Sequence, residues 1–360
     1  MIRTKRYLLL IITTGFCLFV RSQSKTQHMP DFRQFAPIPD PEGMAGMFAG
    51  VSNGTLFCMG GANFPGKKPW EGGKKIWYDK IYMLDKREVW VELDQKLPAP
   101  LAYGISVEYK DEIIIVGGND DRQFHRAVRG LRWDGSTLRF RDYPPLPVPM
   151  ANMAGCRVGS LVIVAGGTSG PQSAPMHDCY TLDLDDPAAG WTALPAWPGP
   201  ERTQPVSGSW GGYFHLFSGE TIRTDTLGNG TRRLLQDAYR MKPEKKDGKW
   251  TCTWETLPVM PKAASASANP VPVLANGDFV FWGGVDAEIV LHRDPATHPG
   301  IGRKIFTYHA PTGTWSYHGL QEALPSRVTL PSVQWKGRWL YVSGEVKPGI
   351  RTNTIVSVGE

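Results

Sequence analysis

The chain has 360 residues, 41% hydrophobic and 21% charged, a balance that supports a sizeable core and argues against a disordered chain. Forty Gly and thirty Pro, without a collagen-like period, call for many turns in place of long helices. The formal charge of +6 owes four units to Arg3, Lys5, Arg6 and Arg21; the +2 left over, with no run of five basic residues elsewhere, disfavours a nucleic-acid surface.

Residues 1–22 read as a secretory signal peptide. Arg3, Lys5 and Arg6 precede an apolar run from Tyr7 to Val20, and the small Ser22 follows. The run is shorter than the roughly twenty residues that span a bilayer. A lipoprotein signal ending at Cys17 is the rival, but bulky Phe16 stands where a small residue is expected and the apolar run continues past the cysteine. No second apolar stretch could serve as a membrane anchor. The expectation is an exported protein beginning near Gln23, periplasmic if the host is a Gram-negative bacterium. The remaining cysteines, Cys58, Cys156, Cys179 and Cys252, lie far apart at apolar, strand-like sites and read as buried free thiols. No Cys or His pair stands at metal-ligand spacing, and the eight His form no cluster; His125, His177, His292 and His298 read as exposed loop residues.

From Asp31 onward the chain repeats. A short apolar run ending in a small pair recurs six times, ending at Gly61, Gly118, Gly167, Gly219, Gly284 and Gly344. The intervals of 57, 49, 52, 65 and 60 residues approximate the ~50-residue kelch period. Each run suits a buried strand that exits sharply at the small pair. A second short strand follows, then an aromatic residue (Trp90, Phe140, Trp191, Trp254, Trp315), mostly with Leu-Pro a few residues later. Four strands per unit, repeated radially, predict an all-β, six-bladed kelch-type β-propeller over residues 31–360, a single domain. The sixth unit stops before its fourth strand, while Phe32–Pro39 (FRQFAPIP) reads as an orphan aromatic-plus-Pro strand. The N-terminal strand is therefore expected to complete the last blade and close the ring.

In such a ring the loops after the small pairs and the connections between units emerge on one face, where a rigid scaffold commonly places its site. The first post-Gly loop, Ala62–Lys80, and the fifth, Val285–Arg303, are long. The candidate substrate contacts from these loops and connections are Asn63, Tyr103, Arg202, Gln204 and Arg327. Two segments draw attention, SGEVKPGIRTN from Ser343 to Asn353 and SGETIRTD from Ser218 to Asp225. In the first, Lys347-Pro348-Gly349-Ile350 predicts a type II turn that lets Glu345 and Arg351 approach each other. An acid and a guanidinium in a recessed site could serve as proton acceptor and carboxylate clamp, or form only a surface salt bridge. Glu220 and Arg223 are the look-alike pair of unit four.

At these residues the sequence resembles the kelch-type sialic acid mutarotases, the N-acetylneuraminate epimerases and their cyclically permuted relatives. The matching stretches are Gly43–Asn53, Leu56–Gly66, Leu101–Val107, Ile113–Gly118 and, most specifically, Gly344–Asn353. The resemblance is strong in units one, two and six and weaker in three to five. It implies an enzyme that interconverts the α and β anomers of N-acetylneuraminate with Glu345 and Arg351 as catalytic residues, and it calls for neither a metal nor an organic cofactor. The implied partner is the small-molecule sugar acid, with no nucleic acid. In the family the hairpin sits mid-chain, before the GMAG unit, whereas here it closes the chain. Leu101 stands where the family often has Arg. The alternative is a non-catalytic kelch propeller that binds a sugar or a protein. A sialidase lacks its Asp boxes and arginine triad here, and a radical copper oxidase lacks its Cys/Tyr/His constellation.

Overall fold

The computed structural model describes residues 29–224, 230–292 and 294–359; the segment read as a signal peptide lies outside the described residues. Six small antiparallel sheets follow one another along the chain. Blade 1 is formed by Phe48–Ser52, Thr55–Met59, Ile81–Leu84 and Trp90–Glu92. Blade 2 comprises Ile105–Tyr109, Glu112–Val116, Val128–Trp133 and Leu138–Tyr143, and blade 3 comprises Ala154–Val158, Leu161–Ala165, Cys179–Asp183 and Thr192–Leu194. Blade 4 has Val206–Trp210, Tyr213–Phe217, Ala238–Lys246 and Lys249–Thr256. In blade 6, Ser332–Trp335, Arg338–Val342 and Ile355–Gly359 are joined by Asp31–Phe35, in register from Asp31 opposite Gly359 to Phe35 opposite Ile355. The N-terminal strand thus closes the ring. The fold is a six-bladed β-propeller.

Blade 5 departs from the four-strand expectation. Its regular strands are Asp278–Trp282, Lys304–His309 and Thr314–Leu320, and the innermost segment is held by a single bridge between Val273 and Phe279. Pro270 and Pro272 lie in that segment and have no N–H to give the ladder.

The core lies between the blades. Each of six apolar clusters joins two adjacent blades; one holds Ile114, Val116 and Val128 of blade 2 against Met153, Val162 and Val164 of blade 3. All four described cysteines are buried and unbridged. The recurring aromatic is a staple between blades. Trp191, Trp254 and Trp315 donate their indole N–H to the carbonyls of Pro144, Pro195 and Pro258, each in the segment that ends the preceding blade, at 2.7–3.0 Å. Trp90 does the same to Ala36, next to the latch strand, at 3.0 Å.

A second ring runs around the central channel. Gly46, Tyr103, Asn152, Gln204, Ala266 and Thr329, one at the entry to each blade, all have left-handed backbones, φ between +51° and +66°. Each N–H donates to the carbonyl of its counterpart in the preceding blade, and Gly46 closes the circle on Thr329 at 2.7 Å. The channel therefore narrows to a waist of hydrogen-bonded backbone. Gly46 is required there, because a Cβ would stand 2.5 Å from the Tyr103 ring.

Candidate active site

The residue after each small pair stands above that waist. Ala62, Asn119, Thr168, Glu220, Val285 and Glu345 occupy this position in blades 1 to 6, each bridged to the residue just before its ring member. Only blades 4 and 6 place a carboxylate there, and only these two have Ser as the first member of the small pair. The Ser343 hydroxyl (backbone φ +57°) accepts the Met44 N–H at 2.8 Å and donates to the Thr352 carbonyl at 2.7 Å, tying the blade 6 hairpin to blade 1. That hairpin pairs Glu345–Lys347 with Ile350–Arg351 around Pro348 and Gly349, the glycine at φ +77° as the predicted turn requires.

The register sets Glu345 opposite Arg351, and the side chains meet with Nη2 to Oε2 at 2.7 Å. Arg351 is buried, and its guanidinium lies 4.9 Å from the centre of the Phe64 ring. Among the described residues its Nε and Nη1 have no hydrogen-bond partner. Both atoms are themselves buried, so Arg351 is held beside the cavity with unmet hydrogen-bonding capacity. Burial pushes the Glu345 carboxyl above the ordinary carboxylate range, opposed by Arg351, by Lys75 and by the Gly349 N–H.

Both side chains line a cavity of about 670 Å³ at the channel mouth. Tyr103 and Gln204 form its floor, Lys75 and Arg232 extend its polar wall, and His292 and His298 stand on the long loop of blade 5. The two imidazoles are 5.2 Å apart, and burial holds the His298 pKa below its ordinary value. No cluster of three or more potential metal ligands occurs among the described residues. The cavity wall carries more cations than anions, an arrangement that can hold a carboxylate and exchange a proton with Glu345.

Of the residues expected at the site, Glu345, Arg351, Tyr103 and Gln204 come together. Asn63 does not reach the cavity: it is buried, its amide donating to the Gly43 carbonyl at 2.6 Å and accepting the Phe64 N–H at 2.7 Å. Arg202 and Arg327 are corrections, since both are fully buried between blades. Arg202 forks onto Asp237 at 2.8–2.9 Å and binds the Ser218 carbonyl at 2.9 Å. Arg327, in the equivalent place, binds the carbonyls of Ser343, Thr354 and Pro325 at 2.6–3.2 Å. Glu220 is buried and paired with Arg232 at 2.5 Å, while the Arg223 side chain lies outside the described residues. His298 is buried rather than exposed. Sequence reasoning missed Phe64, Lys75 and Arg232. The first two sit in a loop already marked by its length, but nothing local singles them out.

Comparison with known proteins gives the same direction. The model of a family described as N-acetylneuraminate epimerase matches residues 16–140 and 143–292, ending before the blade 6 hairpin. An N-acetylneuraminate epimerase of Yersinia enterocolitica is 39% identical over 129 residues, covering 32% of this chain and 32% of that protein. Those of Haemophilus influenzae and Brucella melitensis are 27% and 26% identical, over 59% and 63% of this chain and 58% and 61% of their own lengths. The chain thus spans from about a third to three-fifths of these relatives. The solved structure of YjhT superposes over 91% of this chain and 99% of its own with a TM-score of 0.65 at 14% identity, a likeness of fold.

Proposed function

The chain belongs to the N-acetylneuraminate epimerase family, and from that premise we propose that it is a sialic acid mutarotase, an isomerase that interconverts the α and β anomers of N-acetylneuraminate. The observation that carries the reading is the buried Arg351, with two open N–H donors beside the elevated Glu345 carboxyl. The substrate has a carboxylate on its anomeric carbon, and with Nη2 already on Glu345 the open Nε and Nη1 lie on different edges of the guanidinium, so either can give that carboxylate a charge-assisted N–H bond. Holding that group places the anomeric hydroxyl next to Glu345. The carboxylate takes the hydroxyl proton, the bond from anomeric carbon to ring oxygen breaks, and the ring oxygen takes a proton from water or from the Glu345 acid. Rotation of the open-chain keto acid, then attack on the other carbonyl face by the hydroxyl formed from the ring oxygen, gives the other anomer; that hydroxyl gives up its proton to Glu345 or water, and the former carbonyl oxygen takes one back. A carboxyl whose pKa is raised by burial is a stronger base than an ordinary carboxylate, which suits it to accept the hydroxyl proton.

Proton NMR of freshly released α-N-acetylneuraminate tests the reading. Equilibration to β should be faster with the protein than without it; an unchanged rate leaves only a binding propeller. Glu345→Gln should lower the enzymatic rate by ~10²-fold or more, whereas Glu220→Gln, whose carboxylate serves Arg232, should retain it. Full activity in Glu345→Gln would move the base to Glu220. Export is part of the proposal: the mature chain should begin near Gln23 and be recovered from the periplasm of a Gram-negative host. Intact, uncleaved chain in the cytoplasm would contradict this.

A further inference from the structure

Among the described residues, Lys75 is a cation of this site with no carboxylate partner. It precedes the short strand Ile76–Trp77, which pairs with Ala62–Asn63 and folds the long loop of blade 1 back over the mouth. Its ammonium stands 5.1, 5.4 and 5.7 Å from the ring centres of Tyr103, Trp77 and Phe64. These rings are themselves fixed: Trp77 donates to the Asn119 amide oxygen at 2.9 Å, Tyr103 lies over Gly46, and Phe64 is shared with Arg351. Among the described residues Lys75 makes no ion pair, in contrast to Arg351 with Glu345 and Arg232 with Glu220. An aromatic cage holds a cation in place without neutralising it. Lys75 and Arg351 therefore stand over one phenyl ring and on one cavity.

We propose that Lys75 is a second anchor for the substrate carboxylate, acting with Arg351 and selecting sugar acids over neutral sugars. The inference rests on the mutarotase reading for its ligand and is tested first by binding. Lys75→Met should weaken the affinity for N-acetylneuraminate about tenfold or more, and Lys75→Arg should restore most of it. The neutral carboxamide analogue separates contact from structure. If Lys75 holds the carboxylate, the Lys75→Met penalty disappears with the analogue, whereas a structural role costs both ligands equally and overturns the proposal. An unchanged affinity for N-acetylneuraminate in Lys75→Met overturns it as well.

Kinetics provide a second readout. Glu345 faces Arg351 on its own hairpin, Lys75 from blade 1, Arg232 from blade 4, and His292 and His298 from blade 5. Removing the Lys75 charge should raise KM more than it lowers kcat and move the acid limb of kcat/KM to higher pH; an unmoved limb with unchanged KM counts against the proposal. Wild-type protein that binds N-acetylneuraminate without accelerating anomerisation overturns only the mutarotase reading, and the carboxamide comparison still judges Lys75. Wild-type protein that binds neither ligand overturns both.

Discussion

Arg351 and His215 show opposite uses of a buried nitrogen base. Arg351 is paired with Glu345 and left with two open donors. Arg351→Lys keeps the charge but loses the planar fork, so KM should rise by about tenfold and kcat should fall as the substrate loses its orientation. Steady-state NMR kinetics check this, with a melting curve to show that the fold persists. His215 is buried among Phe217, Phe279 and Tyr308 and makes no use of charge. Desolvation, aided by the neighbouring Arg240, pushes its pKa down from 6.5 to about 3. The sign follows directly: below about pH 6.5 the unfolded chain takes up a proton that the folded chain refuses, so stability falls as pH falls, by up to roughly 1.4 kcal/mol per pH unit. Denaturant titrations at pH 7 and pH 5 should show His215→Leu losing less stability on acidification than the wild type. Equal losses would remove His215 as a source of acid sensitivity.

At the scale of elements, stability resides in what ties one blade to the next. Arg202 and Arg327 are such ties. Arg202→Met would leave the Asp237 carboxylate with the Tyr239 hydroxyl alone and the Ser218 carbonyl without its guanidinium donor. Arg202 is fully buried but Asp237 is partly exposed, so water can rehydrate the carboxylate and the cost falls below the ~3–5 kcal/mol of breaking a fully buried pair. The melting temperature should drop, while the rate per folded molecule stays close to wild type; a lost rate at unchanged stability would return Arg202 to the site. The latch is a second tie. Phe32 packs 4.9 Å from Trp282 of blade 5, Arg338 binds the Asp31 carbonyl at 2.7 Å, and Ile38 is buried beside blade 1. Deleting residues 23–40 would expose the Ile355–Gly359 edge and remove the carbonyl that receives Trp90. A sharply lower melting temperature and a tendency to associate are expected. An unchanged melting curve would mean that the latch contributes little.

Over the whole molecule, no blade owns a core. Each apolar cluster needs two neighbours, and the ring of backbone hydrogen bonds at the waist needs all six blades. Losing one blade would open two clusters and the ring together, so thermal unfolding should be one cooperative transition, with intrinsic fluorescence and far-ultraviolet dichroism coincident. Separate transitions by the two probes would show blades that unfold independently. The same closure fixes the site, because the cavity at the mouth takes its charged side chains from blade 1, blade 4 and blade 6.

Much of this was legible in the sequence because it is local and repeated. The small pair, the apolar strand before it and the aromatic after it recur at a blade's spacing, and each follows from what a strand must bury and where it must turn. The missing fourth strand of the last unit and the orphan segment after residue 30 pointed to the latch for the same reason. Glu345 and Arg351 were readable as a pair because a two-residue turn brings them together. Their neighbours were not. Asn63, Arg202 and Arg327 have the residue types of a binding site, yet a polar side chain that binds a ligand and one that satisfies buried carbonyls look identical in sequence. Lys75 and Arg232 reach the cavity from segments some 160 residues apart. Their convergence depends on the angle through which six blades close, which no local pattern encodes. The sequence by itself determined the repeat, the strands and the acid–guanidinium hairpin, each written in neighbouring residues; only the closed ring decided which charged groups face the substrate's space and which lock the blades, since that depends on contacts between segments far apart in the chain.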